Sequence, residues 1–230
     1  MSIRSICSRR SAGLPALGSL LAVCASLCAG CWYSGGEALF LLGFGRGQKI
    51  DAKFRLTRGP VLILIDDPQG RVDWPPALSA LSDQLGEQLV QHGAAGRVVP
   101  RQTLDQVRQT ETEFERRGCR EIGELCGAEQ VLWVQAQDFV AEEQFFDPSN
   151  AAYFVATVKV INVAEKTSRS RVRLWPESPE GQLVQATLNG NQVAIAKTKG
   201  AIAGELATQL ARRIARLFYD HRATDFGKDE

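Results

Sequence analysis

The chain has 230 residues, of which 44% are hydrophobic and 23% are charged, and its formal net charge is +1. These are values of an ordinary globular protein. Arg4, Arg9 and Arg10 account for three of the 27 basic residues, so the chain from residue 31 onward carries 24 basic against 26 acidic residues. Such a balance excludes an overall attraction for nucleic acid or for anionic lipid.

The first thirty residues have the pattern of an export signal. The basic stretch MSIRSICSRR is followed by an uncharged run, residues 11–30, that ends in small residues. A retained membrane anchor is the alternative. However, Gly13, Pro15 and Gly18 leave the run weakly apolar for a spanning helix of about 20 residues. We therefore predict that residues 1–30 are a signal peptide that is removed.

The end of this run, Cys28-Ala29-Gly30-Cys31, resembles the lipobox of bacterial lipoproteins. Ala29, Gly30 and Cys31 fit the motif, whereas Cys28 stands where leucine is usual. The resemblance implies cleavage between Gly30 and Cys31, a diacylglycerol on the Cys31 thiol, and often an acyl chain on the new amine. An ordinary signal peptidase acting at the same bond would leave a free thiol, so a secreted soluble domain without lipid is the alternative.

Residues 31–58 are predicted to be the lipidated amino terminus and a membrane-proximal tether. Its apolar part, Ala38 to Phe44, is too short to span a bilayer. It either lies on the membrane surface, with Trp32 and Tyr33 as interfacial anchors, or packs on the domain. The glycines of GFGRGQ lack the preceding strand and the G-K-[ST] ending of a phosphate loop.

Residues 59–221 are predicted to form one domain, with a polar tail at 222–230. The run VLILIDD indicates a buried strand, and the next segment a helix that begins at Pro76, ends before Gly93 and has a leucine face (Leu78, Leu81, Leu85, Leu89). The stretch RVV indicates a second strand. RQTLDQVRQ and CREIGELCGAE indicate two short helices.

The second half of the domain is predicted to be three strands and a helix. QVLWVQAQDF is a strand, and AYFVATVKVINV pairs with RSRVRLW across AEKTS as a hairpin. The last helix turns an apolar face to the sheet (Ile202, Leu206, Leu210, Ile214, Leu217). The order β-α-β-α-α-β-β-β-α predicts an α/β (α+β) fold with a mixed sheet of about five strands packed with helices.

Three stretches in this order, Gly96–Val107, Glu121–Phe139 and Val155–Thr167, resemble a domain shared by several bacterial envelope proteins. The group includes the amino-terminal domain of the translocation protein TolB, the curli-secretion lipoprotein and the lipoprotein activators of penicillin-binding proteins. In this group a VV.R..L..V strand and helix follow a helix end, and a Gly-Ala turn leads into a strand. The resemblance implies a fold that serves protein contact.

The two cysteines that follow Cys31, Cys119 and Cys126, lie on one predicted helix. At a separation of seven residues they share a face but are about 10 Å apart along the axis, which is too far for a disulfide. We expect both to be small buried apolar residues. A zinc site would need more ligands, and we predict neither a metal nor a cofactor.

Asp66 and Asp67, at the carboxyl end of the first predicted strand, are the candidates for an alternative function as a metal- or phosphate-dependent enzyme. Ligand sites of open α/β sheets favour that edge. However, neighbouring side chains in a strand point apart, and acidic residues before a sequence such as PQG commonly form turns. We therefore predict that the chain is not an enzyme.

The loops Phe145–Asn150 and Trp175–Ser178 carry aromatic residues, and Phe145, Phe146 and Trp175 are the candidate partner surface. Packing of Phe145 or Trp175 in the core is the alternative. The sequence thus predicts a membrane-anchored envelope lipoprotein that acts as a protein-binding or assembly module, on the periplasmic face of the outer membrane. Its predicted partners are the membrane, through lipid on Cys31, and envelope proteins or a second copy. No small-molecule substrate is identified.

Overall fold

A computed structural model describes residues 48–142, 152–166 and 169–223. The predicted signal peptide, the cleavage site at Gly30 and Cys31, and the candidate residues Phe145 and Phe146 lie outside the described residues. Contacts divide the chain into two units, Ile50–His221 and a second made of residues 1–49 and 222–230. Lys49–Ile50 (β1) and His221–Arg222 (β8) form a two-stranded sheet.

The main sheet has six strands, as a mixed sheet of parallel and antiparallel pairs. Its order is β3-β2-β4-β5, and both β6 and β7 pair with the far side of β5. β2 is parallel to β3 and to β4, whereas all pairs of β5 are antiparallel. The bounds are Pro60–Asp66 (β2), Arg97–Val98 (β3), Gln130–Val140 (β4), Ala152–Asn162 (β5), Arg173–Trp175 (β6) and Gln182–Leu188 (β7). The predicted fold class is confirmed.

Two long helices cover one face of this sheet. Their inward faces are buried, as the leucine and isoleucine spacing predicted, except that Leu78 is only half-buried and that Leu217 lies just beyond the end of the last helix and is also only half-buried. The helices are Pro76–Gln91 (α1), Arg101–Thr110 (α2), Cys119–Leu125 (α3), Arg169–Val172 (α4), Gly190–Ala196 (α5) and Lys199–Ala215 (α6), of which α1 and α6 are the long pair. Within the described ranges, no helix combines the length and the apolar character needed to cross a bilayer.

A second, smaller core lies on the other face, around β2 and the beginning of β4. It joins Leu62, Leu64 and Val131 of the strands to residues of α2, α3 and a short 3-10 helix, Phe114–Arg116. Cys119, the first residue of α3, and Cys126, directly after its end, are free thiols, as predicted from their spacing. Cys126 is buried as expected, whereas Cys119 is only half-buried. Burial raises the pKa of both.

The structure differs from the prediction between β5 and α6. The stretch RSRVRLW is divided between α4 and the three-residue β6, and Pro176 ends β6 because it has no N–H for the ladder. β6 pairs with only Val160 and Ile161, so most of the edge of β5, Ala152–Val158, is left to another strand. β7 takes that edge, and neither β7 nor α5 was predicted.

Candidate functional site

The carboxyl end of β2 opens into a groove between α1 and α2. A cavity of about 320 Å³ is lined by the end of β2 with Asp66 and Asp67, by the first turns of α1 with Ser82, and by one face of α2 with Arg108. This volume is at the lower end of the range of ligand pockets, about 300–1000 Å³. The groove lies at the carboxyl edge of the sheet, where the sequence analysis predicted the candidate ligand site.

The groove exists because β3 is short. β3 pairs with β2 only at Pro60 and Val61, and the last bond between them runs from the Val99 amide to the Val61 carbonyl oxygen, at 2.9 Å. The next residue, Pro100, has no N–H to continue the ladder and instead precedes α2. The chain therefore leaves the sheet before it reaches the second half of β2.

Asp67 organises the turn after β2. Its two carboxylate oxygens accept hydrogen bonds from the main-chain amides of Arg71 and Val72, each at 2.9 Å. The Arg71 side chain in turn donates to Gln69 Oε1 and to the Gln137 carbonyl oxygen, each at 2.6 Å. The carboxylate of Asp67 thus accepts hydrogen bonds from main-chain amides. This is the turn-forming role that the sequence analysis gave as the alternative to a catalytic role.

Asp66 lies in a different environment. By strand alternation its side chain is on the side of Leu62 and Leu64, and it is half-buried. Among the described residues it has neither a hydrogen-bond partner nor an ion-pair partner for its carboxylate. Its charge acts on the Cys119 thiol, where it is a minor cause of the raised pKa. No group of three potential metal ligands occurs in the described part of the chain.

A second candidate surface is the part of the sheet that α2 and α3 leave uncovered, here called the open face. Cross-strand register brings Trp133 opposite Lys159, Gln135 opposite Thr157, and Thr157 opposite Leu183. Towards the beginning of β5, the register with β7 pairs Val155 with Gln185 and Tyr153 with Thr187. Trp133 is half-buried and packs against the second core, as Val172 of α4 does, whereas Leu183 is 58% exposed.

The charged groups of the open face are engaged with its other side chains. Lys159 Nζ lies 5.0 Å from the centre of the Trp133 ring and 3.4 Å from Gln135 Oε1. Asp138 accepts hydrogen bonds from the Tyr153 hydroxyl, at 3.1 Å, and from the Phe139 amide, at 3.0 Å. The remaining surface consists of aromatic, aliphatic and uncharged polar side chains.

Trp175 lies on the opposite side of the sheet. It is half-buried, its ring centre is 5.7 Å from that of Phe218 and 6.3 Å from that of Phe54, and it packs against the core under α1 and α6. The sequence analysis gave this packing in the core as the alternative to a partner surface. Its role in a partner surface stays a prediction, and a change at Trp175 would also disturb the core.

Sequence reasoning did not single out the open face. Part of the signal was nevertheless present, because apolar and polar residues alternate along VQAQ in β4 and ATVK in β5, although VLW and YFV before them are continuous apolar or aromatic runs. Strict alternation is typical of strands with one buried and one solvent-facing side. Which elements would cover the second side depends on the paths of α2 and α3, and alternation alone does not give those paths.

No protein-family model matches the chain, and no curated protein matches it. Among solved structures, the PelC dodecamer from Paraburkholderia phytofirmans is 14% identical, covers 75% of this chain and 96% of its own, and has a TM-score of 0.37. Lipoprotein GNA1162 from Neisseria meningitidis is 15% identical, with coverages of 68% and 97% and a TM-score of 0.39. The LpoB C-terminal domain from Salmonella enterica is 15% identical, with coverages of 60% and 87% and a TM-score of 0.35. Similarity at this level assigns no function to this chain.

Proposed function

We propose that this chain is a lipid-anchored lipoprotein of the bacterial cell envelope, and that its domain binds another envelope protein rather than catalysing a reaction. The open face is the observation that carries the proposal. It presents the exposed Leu183 and the half-buried Trp133 and Tyr153 among mostly uncharged polar side chains. Centres of protein–protein interfaces are enriched in aromatic residues and depleted of charge in this way.

The free energy of binding at the open face depends on the apolar area that a partner would cover and on the charges that it would desolvate. Lys159 and Asp138 make hydrogen-bond or ring contacts within the face but no ion pair there, so a partner that covers them would have to supply compensating groups, since burying an uncompensated charge is costly. Leu183 lies on β7 and is 58% exposed. A partner that covers it would gain about 25 cal/mol for each Å² of apolar area removed from water.

The membrane anchor in this proposal is a lipid on Cys31. Two acyl chains or more give a long-lived attachment, because each buried methylene contributes about 0.8 kcal/mol and one chain alone anchors weakly. The lipobox resemblance at residues 28–31 and the resemblance of the domain to envelope proteins support a place on the periplasmic face of the outer membrane. The catalytic alternative would require the Asp67 carboxylate, which the main-chain amides of the turn already occupy.

The open face is tested by placing a photo-crosslinking amino acid at Leu183 in the full chain in cells. The matched control position is Ile195, which is 78% exposed and lies on α5. A discrete adduct at position 183 that is absent at 195 supports the proposal, and an adduct of twice the chain mass identifies a second copy as the partner. If neither position, or both equally, give adducts, the open face is not a binding surface.

The anchor is tested separately by Cys31→Ser. This variant should lose the lipid and move from the membrane fraction to the soluble fraction of the envelope, whereas Cys119→Ser should remain on the membrane. Intact-mass spectrometry of the mature parent protein provides the direct measurement. An unmodified thiol at Cys31 would overturn the anchor and leave the secreted soluble domain as the interpretation.

A further inference from the structure

The outer edge of β2 has no strand partner beyond Val61 within the described part of the chain. Successive residues of β2 direct their main-chain groups to opposite neighbours, since the Pro60 carbonyl accepts from the Glu129 amide next to β4 and the Val61 carbonyl accepts from Val99 next to β3. Ile63 and Ile65 therefore direct their N–H and C=O groups to the side where β3 has ended. These groups face the groove between α1 and α2.

The other free edge of the sheet is treated differently. On β7, the outward carbonyl oxygen of Gln185 accepts a hydrogen bond from Arg213 Nη1, at 2.8 Å, and that of Leu183 accepts from Gln182 Nε2, at 2.9 Å. Side chains that occupy edge carbonyls prevent the addition of a further strand. No such side-chain bond reaches Ile63 or Ile65 among the described residues. The edge of β2 is therefore the one that can accept a strand.

The shape of the groove limits what can pair there. α1 flanks the edge on one side and α2 on the other, so the edge is recessed, and Ile63 is only 5% exposed. A second folded sheet would collide with the helices before its strand reached β2. A single extended segment of a few residues fits, because a strand lies about 4.8 Å from its neighbour and needs no further partner.

The half-buried carboxylate of Asp66 indicates the charge of that segment. In the register of a strand added to β2, the residue opposite Asp66 would lie on the same face as Asp66, as Gln135 does on the β4 side. Asp66 has no cationic partner among the described residues. An opposing lysine or arginine would provide the missing charge.

We propose that the edge of β2 binds an extended segment of a partner polypeptide as an additional short strand, with a basic residue of that segment opposite Asp66. Main-chain bonds to Ile63 and Ile65 hold the segment, and the basic side chain selects it. Such strand addition is a recurring mode of peptide recognition. The main-chain groups of Ile63 and Ile65 lie at the strand edge, outside the open face, although Asp66 is next to Gln135 on the same side of the sheet. Strand addition at this edge is tested independently of the function proposed for the open face.

The test is a titration of the full chain, solubilised in detergent, with the peptide acetyl-TVKVT-amide, monitored by amide NMR shifts. Saturable shifts at the Ile63 and Ile65 amides are expected, with smaller shifts at Leu62 and Leu64, which already bond to β4. The same peptide with N-methylated main-chain amides should not bind. Replacing the peptide lysine by glutamine, or Asp66 by asparagine, should weaken binding by up to about fivefold.

A groove-filling variant supplies the structural control. Ser82→Tyr should abolish binding, whereas Glu87→Tyr, at an exposed position of the same helix, should bind like the parent. Circular dichroism and thermal melting establish that both variants are folded. The proposal is overturned if the parent shows no saturable shift at millimolar peptide, if the N-methylated peptide binds equally well, or if Ser82→Tyr retains binding.

Discussion

The packing of α3 on the sheet makes a sharp prediction at Gly123. A Cβ atom added there would lie 2.5 Å from Val131 Cγ2 and 2.7 Å from Val163 Cγ2. Carbon atoms in good contact are about 3.5–4.0 Å apart, so Gly123→Ala requires the valines or the helix to move by about 1 Å. Val131 is fully buried on β4, which is paired on both sides, and it has little freedom to move.

Two effects of opposite sign decide the outcome of Gly123→Ala. Alanine is favoured over glycine inside a helix by about 1 kcal/mol, and overpacking of a core costs about 1–3 kcal/mol. Because both valines lie within the clash distance, the larger cost applies. We expect a net loss of about 1–2 kcal/mol in the free energy of unfolding, which corresponds to a fall in melting temperature of about 2–8 °C for a domain of this size.

Gly204 is the matched control for this prediction. It lies within α6, and an added Cβ would meet no atom within 4 Å, so Gly204→Ala should stabilise the protein by up to about 1 kcal/mol. Urea unfolding measures both variants, with an unchanged m-value as the condition for comparison. If Gly123→Ala is as stable as the parent, α3 does not approach the sheet as closely as described.

Three further predictions concern the core, the turn and one ion pair. Ile214→Asp should unfold the domain, because an unpaired buried charge costs several kcal/mol, while Ile195→Asp at an exposed site should melt like the parent. Asp67→Ala should lower stability by about 1–3 kcal/mol through loss of the acceptor for two turn amides, as measured by thermal melting against Asp67→Asn, which keeps one acceptor oxygen. Lys166, 2.6 Å from Glu124, holds the pKa of that carboxyl below its ordinary value of 4.5. The Lys166–Glu124 ion pair therefore stabilises the protein above pH 4.5, and this stabilisation is lost as the pH falls through the lowered pKa of Glu124 in the folded state. The difference in melting temperature between the parent and Lys166→Met should vanish in acid. A difference that persists there would contradict the assignment.

The parts of the fold that the sequence predicted well have strong periodic signals. The leucine face of α1 is bounded by Pro76 and Gly93, and Gly93 adopts a left-handed φ of 64° that ends the helix. The short element α5 also had a signal, a capping box between Asn189 and Gln192. It was missed together with β7, which precedes it, because the β7 sequence QLVQATL has no strict alternation of apolar and polar residues, although exposure does alternate along the strand.

The candidate sites were harder to predict because each depends on a partner that is distant in sequence. The position of Asp66 and Asp67 at the carboxyl edge followed from β2 alone. The groove beside them follows from the early end of β3 at Pro100, more than thirty residues later. Trp175 packs inward, and the sequence could not predict this. β6 has only three residues, which is too short for alternation to indicate which side of the sheet each residue faces.

The two faces of the sheet differ in how much of the hydrophobic core they hold. The face under α1 and α6 holds the larger core, and burial there removes most of the apolar side chains from water. The smaller core on the other face involves β2, the beginning of β4 and the end of β5, and Leu183 and Ser82 belong to neither core. Substitutions at Leu183 or Ser82 should therefore change binding without a matching loss of stability, whereas changes beneath α1 and α6 should abolish both. This separation is what makes the binding proposals testable in a folded protein.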